Sequence, residues 1–344
     1  MNLPDLTEEF AMQPYLFGEE SQRLRLSQLG DSLEKLNVVD FEIFRPILMK
    51  GLCKERKSSA GRPSYDVILM FKILILERLF NLSDEQTEYQ ITDRVSFQRF
   101  LGLSLGARVP DAKTIWLFKD TLAQKGVIEV LFKEFNSQLE SKGLITHTGT
   151  IIDATFVNAP RQRNTRDENQ AIKRGEVPEN WASNPHKMAQ KDRDARWTKK
   201  NTETHYGYKA HVKVDMDSKI VTSYSTTSAS VHDSNEFVNF LDEKDQVVYA
   251  DSAYSGQEIP AHIRSEVCEK GCRNKKLSEA QKANNRRKSK VRRRIEHVFG
   301  FMTCSMRGIT VRSIGLRRAE FNVGLTNLVY NLFRYSFLAK KETI

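Results

Sequence analysis

Three acidic residues, Asp153, Asp251 and Glu296, occupy positions where a carboxylate calls for a chemical reason. Asp153 falls inside Thr150-Ile151-Ile152-Asp153-Ala154-Thr155-Phe156-Val157, a β-rich run that reads as a largely buried strand. A carboxylate in such a place costs several kcal/mol unless a cation or hydrogen bonds offset it. Asp251 closes the apolar run Val247-Val248-Tyr249-Ala250 and precedes a loop-like Ser252-Ala253-Tyr254-Ser255-Gly256. Strand ends of this kind hold functional groups on a rigid support. Glu296 lies beside a helical stripe of Val291, Ile295, Val298, Phe299 and Met302, within an otherwise basic segment. Three such hard-oxygen ligands suit Mg²⁺, with Mn²⁺ as a substitute. Two such ions can activate an attacking hydroxyl and stabilise the departing oxygen of an in-line phosphoryl transfer. That chemistry requires the two strands to be neighbours and the helix to pack beside them. Taken singly, a strand aspartate is more often an ion-pair or turn partner than a metal ligand.

The elements that must position these acids are legible from periodicity. Up to about residue 145 the chain reads as helical. Tyr65 to Phe80 is apolar nearly all round, as in a buried helix, with Ser64 as its expected N-cap. Ser83 and Gln86 form a capping-box pattern before a second helix, and Asp111 caps a third that carries Ile115, Trp116 and Phe118. These short helices suit a helix-turn-helix and a plain bundle equally. The character changes near Gly149. After the strand bearing Asp153 comes a polar, charge-mixed stretch, Asn158 to Thr204, expected to be an inserted subdomain or a mobile arm. Tyr208, Ala210, Val212 and Val214 then alternate with Lys209, His211 and Lys213, and Asp215 to Ser218 turns into a second strand, Ile220 to Thr227. Ser234 to Leu241 resumes helical spacing. A last long helix carries Phe321, Leu325, Leu328, Val329, Leu332 and Phe333. The order strand, hairpin, helix, strand, helices is that of a mixed α/β sheet flanked by helices.

Charge gives the partner. Lys plus Arg number 54 against 44 Asp plus Glu, a formal net charge of +10, which suits a polyanion. The densest run, Arg286 to Arg294, enters the segment bearing Glu296, so Arg286, Arg287, Lys288, Lys290, Arg292 and Arg293 are candidates for DNA phosphates, a solvated face being the alternative. Arg292 lies one helical turn before Glu296 and has two expected partners, that glutamate or a DNA phosphate. Trp197, Lys199 and Lys200 in the insertion can grip DNA and stack on an exposed base, although Trp181 and Trp197 read first as anchors of a small core. Lys209, His211 and His232 are expected to support the site from nearby, and His297 to be structural. No zinc-binding HExxH pattern is present. With 39% hydrophobic and 28% charged residues a folded chain is expected. Met1 to Gln13 is acidic and lacks the order of an export signal, and the longest apolar run, Val67 to Phe80, is too short to span a bilayer. Cys53, Cys268, Cys272 and Cys304 make no paired framework, which suits a reducing cytoplasm. Cys268 and Cys272 can sit one helical turn apart, but no second ligand pair occurs at zinc spacing, so they read as ordinary thiols.

Five blocks carry a resemblance. Asp153-Ala-Thr155-Phe-Val-Asn-Ala-Pro160, Tyr206-Gly-Tyr-Lys209-Ala-His211, Ser230-Val-His232-Asp233-Ser, Ala250-Asp251-Ser-Ala-Tyr254-Ser-Gly256 and Arg292-Arg-Arg-Ile-Glu296-His-Val-Phe299-Gly occur in that order. Together they resemble the signature blocks of bacterial DDE insertion-sequence transposases, of the broad group that includes the fifth insertion-sequence family, over roughly residues 60 to 335. The resemblance implies a ribonuclease H-like catalytic part, 146–338, with residues 158–204 inserted, preceded by a helical part, 1–145, that binds DNA ends. It assigns Asp153, Asp251 and Glu296 to two catalytic divalent ions and Arg292 to the DNA backbone. It also implies double-stranded DNA as substrate, a homodimer or higher multimer joining two ends, and action in the bacterial cytoplasm at the nucleoid. One departure stands out. Some relatives carry a tyrosine seven positions before the glutamate and a lysine seven after it, where this chain has Ser289 and Thr303.

Overall fold

The computed structural model describes residues 18–52, 64–104, 106–200, 202–272 and 276–342; Met1 to Gln13 and Cys53 lie outside them. The chain begins with helices α1 (Gly18–Leu29), α2 (Arg45–Leu52), α3 (Val67–Phe80), α4 (Asp84–Asp93), α5 (Val95–Leu101), α6 (Ala112–Gln124) and α7 (Val127–Ser141). Strand β1 (Thr150–Asn158) leads into α8 (Arg166–Lys173), α9 (Glu179–Ala182), α10 (Pro185–Ala189) and β2 (Arg196–Lys200). Next come β3 (Glu203–Asp215), β4 (Val221–Ser228), α11 (Ser234–Phe237), β5 (Val247–Ala250), β6 (Arg264–Val267), α12 (Glu279–Arg292), α13 (Glu296–Gly300) and α14 (Leu316–Glu342).

Helix α3 forms where the apolar run predicts it, but its cap is Asp66 rather than Ser64. The Asp66 carboxylate accepts the Ile68 and Leu69 N–H groups, and an acid at this end also complements the positive pole of the helix dipole. Ser83 caps α4 by accepting from Gln86 N–H, and Asp111 caps α6 by accepting from Thr114 N–H. These helices do not close on themselves. Helix α14 packs against α3, α6, α7 and β4, and one continuous apolar core runs from Leu33 through Phe135 and Val212 to Leu332. The Arg78 guanidinium, buried in α3, donates to the carbonyls of Met306 and Gly308. Burial pushes its pKa down to about 10.

The sheet runs β4–β3–β1–β5–β6. Strand β3 is antiparallel to β1 and β4, whereas β5 is parallel to β1 and β6 parallel to β5. This is the order and polarity of a ribonuclease H-like sheet, as the resemblance implies. The start of β3 also pairs with β2. Gly207 makes the crossing of β1 and β3 possible. Its φ of 142° and the absence of a side chain matter, because a Cβ there would lie 2.2 Å from the Val157 carbonyl oxygen.

The stretch after β1 is folded rather than an open arm. Trp181 is fully buried, and Glu168 gathers Thr165 N–H, Asn180 Nδ2, Trp181 Nε1 and Lys187 Nζ onto its carboxylate. Those four donors outweigh desolvation and push the Glu168 pKa down to about 2. Asp192 joins this unit to the sheet and to the start of α14. It accepts the Tyr208 hydroxyl at 2.7 Å and Gly315 N–H at 3.2 Å.

Candidate active site and nucleic-acid interface

The register of β1 and β5 places two of the three acids. Thr150 pairs with Val248 and Ile151 with Tyr249; two residues further along, the same parallel register sets Asp153 opposite Asp251. Asp251 leaves the strand as the cap of a single 3₁₀ turn, its carboxylate accepting Ala253 N–H at 2.7 Å. Asp153 accepts Ala154 N–H at 2.8 Å and pairs with Arg292 Nη1 at 2.9 Å, with side chains only 21% and 24% exposed. Burial raises the Asp153 carboxyl above its ordinary value, against the pull of Ala154 N–H and the Arg292 guanidinium, and the charge of Asp251 adds to the rise. Two desolvated carboxylates at neighbouring strand positions need positive charge, and one guanidinium supplies part of it.

Glu296 is placed differently. The segment that carries it is not one regular helix: α12 passes through a 3₁₀ turn, Arg293–Ile295, into α13 and then a π turn, Phe301–Ser305. Three residues wound at 3.0 rather than 3.6 per turn rotate the downstream side chains by about 60°. Arg292 therefore reaches Asp153, while Glu296 is exposed and faces an open groove with Lys290, Arg293, Arg294 and His297. Among the described residues the Glu296 carboxylate makes no hydrogen bond or ion pair, and Arg292 has Asp153 as its acidic partner instead of Glu296. His297, expected to be structural, is exposed in the same groove.

The basic candidates divide by contact. Arg286, Lys290 and Arg293 are exposed or half-buried along the two open grooves beside α12. Arg287 is exposed but ion-pairs with Glu266 at 2.6 Å. Lys288 turns into the fold, where its ammonium donates to the Val267 carbonyl, so it is not free for phosphate. Trp197 is 43% exposed rather than a core anchor, tilted on Tyr206 and covered by Arg161 at 5.7 Å. Lys199 and Lys200 are exposed on the same strand, and the charge of Lys200 reaches Asp153.

Alternation along β1 and β3 gives Asp153 the face of Val212, and gives Lys209, His211 and Lys213 the other. That second face is also buried. Lys209 pairs with Asp233 at 2.9 Å and donates to the Val231 carbonyl; His211 Nε2 meets Thr227 Oγ1 at 2.8 Å. Burial pushes the His211 imidazole below its ordinary pKa. His232 is exposed and bonds through Nδ1 to the Ser234 hydroxyl as a turn cap. His147, Asp242 and Asp245 also gather within ligand distance of one another, but the Lys213 ammonium already bridges the two aspartates at 2.7 Å each. Cys268 and Cys272 are free thiols in the extended and irregular chain after β6, not one helical turn apart.

Residue type and spacing alone give Tyr254 no task. In the fold its ring packs on Phe237, and its hydroxyl lies in the field of Asp153, Asp233 and Asp251, which with burial raise its pKa. Its position three residues beyond Asp251, within the same sequence block, is the one available clue.

A mixed sheet of ribonuclease H-like order, with aspartates at matching positions of its two central parallel strands, defines a DDE-type catalytic unit. The family comparison agrees: residues 145–332 match the model described as Transposase DDE domain, and residues 22–121 match Transposase domain (DUF772). The chain belongs to the DDE transposase family of insertion sequences. No solved structure matches it. Domains of this family use divalent metal ions and act on DNA. The donors at Asp153 and Asp251 fit such an ion, being two hard carboxylates that burial and mutual repulsion leave short of positive charge. No helix among the described residues is long and apolar enough to cross a membrane.

Proposed function

We propose that this chain binds the terminal inverted repeats of its own mobile element, hydrolyses phosphodiester bonds there and joins the freed 3′-hydroxyl to target DNA. The observation that supports this best is the β1–β5 register, which sets Asp153 opposite Asp251 at the edge of a basic surface. Asp153, Asp251 and Glu296 would hold two Mg²⁺ or Mn²⁺ ions, and the ions would neutralise charge on the attacking and departing oxygens. Arg286, Lys290, Arg293, Lys199 and Lys200 supply accessible cations for the DNA backbone on either side. The helical part, residues 1–145, takes the DNA end, and two copies bring two ends together at the nucleoid. Glu296 must turn toward the aspartates when DNA and metal are present.

The test is cleavage and strand transfer by the full chain on a plasmid carrying both element ends. Asp153→Asn, Asp251→Asn and Glu296→Gln should each reduce cleavage about a hundredfold or more while end binding persists. Chelation should stop the reaction and Mn²⁺ restore it. Parental cleavage by any one variant removes that residue from the metal set. Cleavage with no joined product would mark a nuclease instead.

A further inference from the structure

We propose that the Tyr254 hydroxyl is a positioning donor for a DNA phosphate oxygen at the Asp153–Asp251 site. This rests on the phosphoryl-transfer reading above and adds a residue to it. Tyr254 is placed by the turn that presents Asp251: Asp251 accepts Ala253 N–H on its carboxylate and Tyr254 N–H, at 3.3 Å, on its carbonyl. The residue is 2% exposed and its ring packs on Phe237 at 5.2 Å between centroids. Its oxygen is buried without any hydrogen-bond partner. A buried hydroxyl left unpaired is costly, and such groups are usually satisfied by protein or by a ligand.

The surroundings say what the missing partner is. Three carboxylates, Asp153, Asp233 and Asp251, act on this phenol and keep it protonated, so the hydroxyl can offer a hydrogen. None of them accepts it. A second donor in the same field is also unpaired: Arg292 Nε is buried with no partner although Nη1 holds Asp153. Neither donor can hold a cation. Together they call for an acceptor with more than one oxygen, and a phosphodiester is the anion this fold handles. The carboxylates would face the metals while Tyr254 and Arg292 face the phosphate.

The experiment compares the full chain with Tyr254→Phe and Asp153→Asn, using a supercoiled plasmid in Mn²⁺ and thermal melting in chelator without DNA. Tyr254→Phe should slow single-turnover nicking about tenfold at saturating plasmid, the worth of one hydrogen bond to a charged group. Half-saturation should stay within about twofold, because many other phosphate contacts set binding. The same variant should melt higher than the parent without ligands, since it deletes an unpaired buried oxygen and nothing else. A nicking rate within about twofold of the parent, or a lower melting temperature, overturns the proposal and makes Tyr254 a packing residue. If Asp153→Asn abolishes nicking while Tyr254→Phe leaves it intact, Tyr254 alone is misassigned. Parental nicking by Asp153→Asn would overturn the site and this proposal together.

Discussion

Replacing Arg292 with alanine separates two tasks that a cation at this position can perform. In the free protein Arg292 neutralises Asp153 across 2.9 Å, with both side chains about three-quarters buried. Breaking a fully buried pair costs about 3–5 kcal/mol, and an exposed one about 0–1 kcal/mol. This pair lies between, and the lost guanidinium leaves Asp153 desolvated beside Asp251, so a loss of about 1–2 kcal/mol is expected. At about 2–4 °C per kcal/mol for a chain of this size class, Arg292→Ala should melt several degrees below the parent in chelator. The loss should shrink in an Asp153→Asn background, where no charge needs neutralising, and the double-mutant cycle reads the difference directly. Mg²⁺ should stabilise Arg292→Ala more than the parent, because the ion restores the charge that the substitution removed. In DNA binding the same variant should lose one phosphate contact and about one unit of salt slope. Equal melting loss with and without the Asp153 carboxylate would refute the pairing, and an unchanged salt slope would refute the DNA contact.

The fold itself sets three more outcomes. Gly207→Ala puts a Cβ 2.2 Å from the Val157 carbonyl and should cost roughly 2–4 kcal/mol in denaturant melts; stability equal to the parent would mean that β1 and β3 separate easily. Glu168→Ala strands buried donors, at about 1–3 kcal/mol, and should open residues 158–204 to protease while β1 stays protected; parental resistance would show that the insertion is held from outside. The His211 pKa is depressed in the fold, so the unfolded chain takes up its proton first. Its contribution is therefore complete above the ordinary value of 6.5 and is lost as pH falls from there toward the lower folded value. His211→Gln should flatten the fall of melting temperature over that window, and an unaltered slope would exclude His211 as a source.

Much of the scaffold was legible because its signals are local. The β-rich run around Asp153, the hairpin of β3 and β4, and the apolar helix α3 all form where periodicity places them. Short-range errors came from competing caps: Asp66 outcompetes Ser64 because a charged acceptor two residues nearer the first turn reaches two N–H groups. What could not be read were charges satisfied across long sequence distances. Lys213 looks like a solvent-facing strand residue until Asp242 and Asp245 close over it, and Lys288 looks like one of a run of equivalent cations until the Val267 carbonyl takes it. Arg292 has the spacing to pair with its helical neighbour, but a 3₁₀ turn intervenes and its partner lies on β1. The acids were recognisable by residue type and motif, whereas the pairing of Asp153 with Asp251 required the sheet register.

The packing of α14 against α3, α6 and α7 also bears on how the protein comes to exist in the cell. Helices that close their core with a segment made long afterwards cannot finish folding while the ribosome is still translating the sheet. Until α14 arrives, Leu74, Leu122 and Phe135 lack part of the apolar surface that covers them in the native core. A message cut short before α14 would thus yield a helical fragment with an open hydrophobic face, a target for chaperones and proteases instead of a competing DNA binder. The late helix acts as a quality gate, because only a chain translated through both halves completes the core they share.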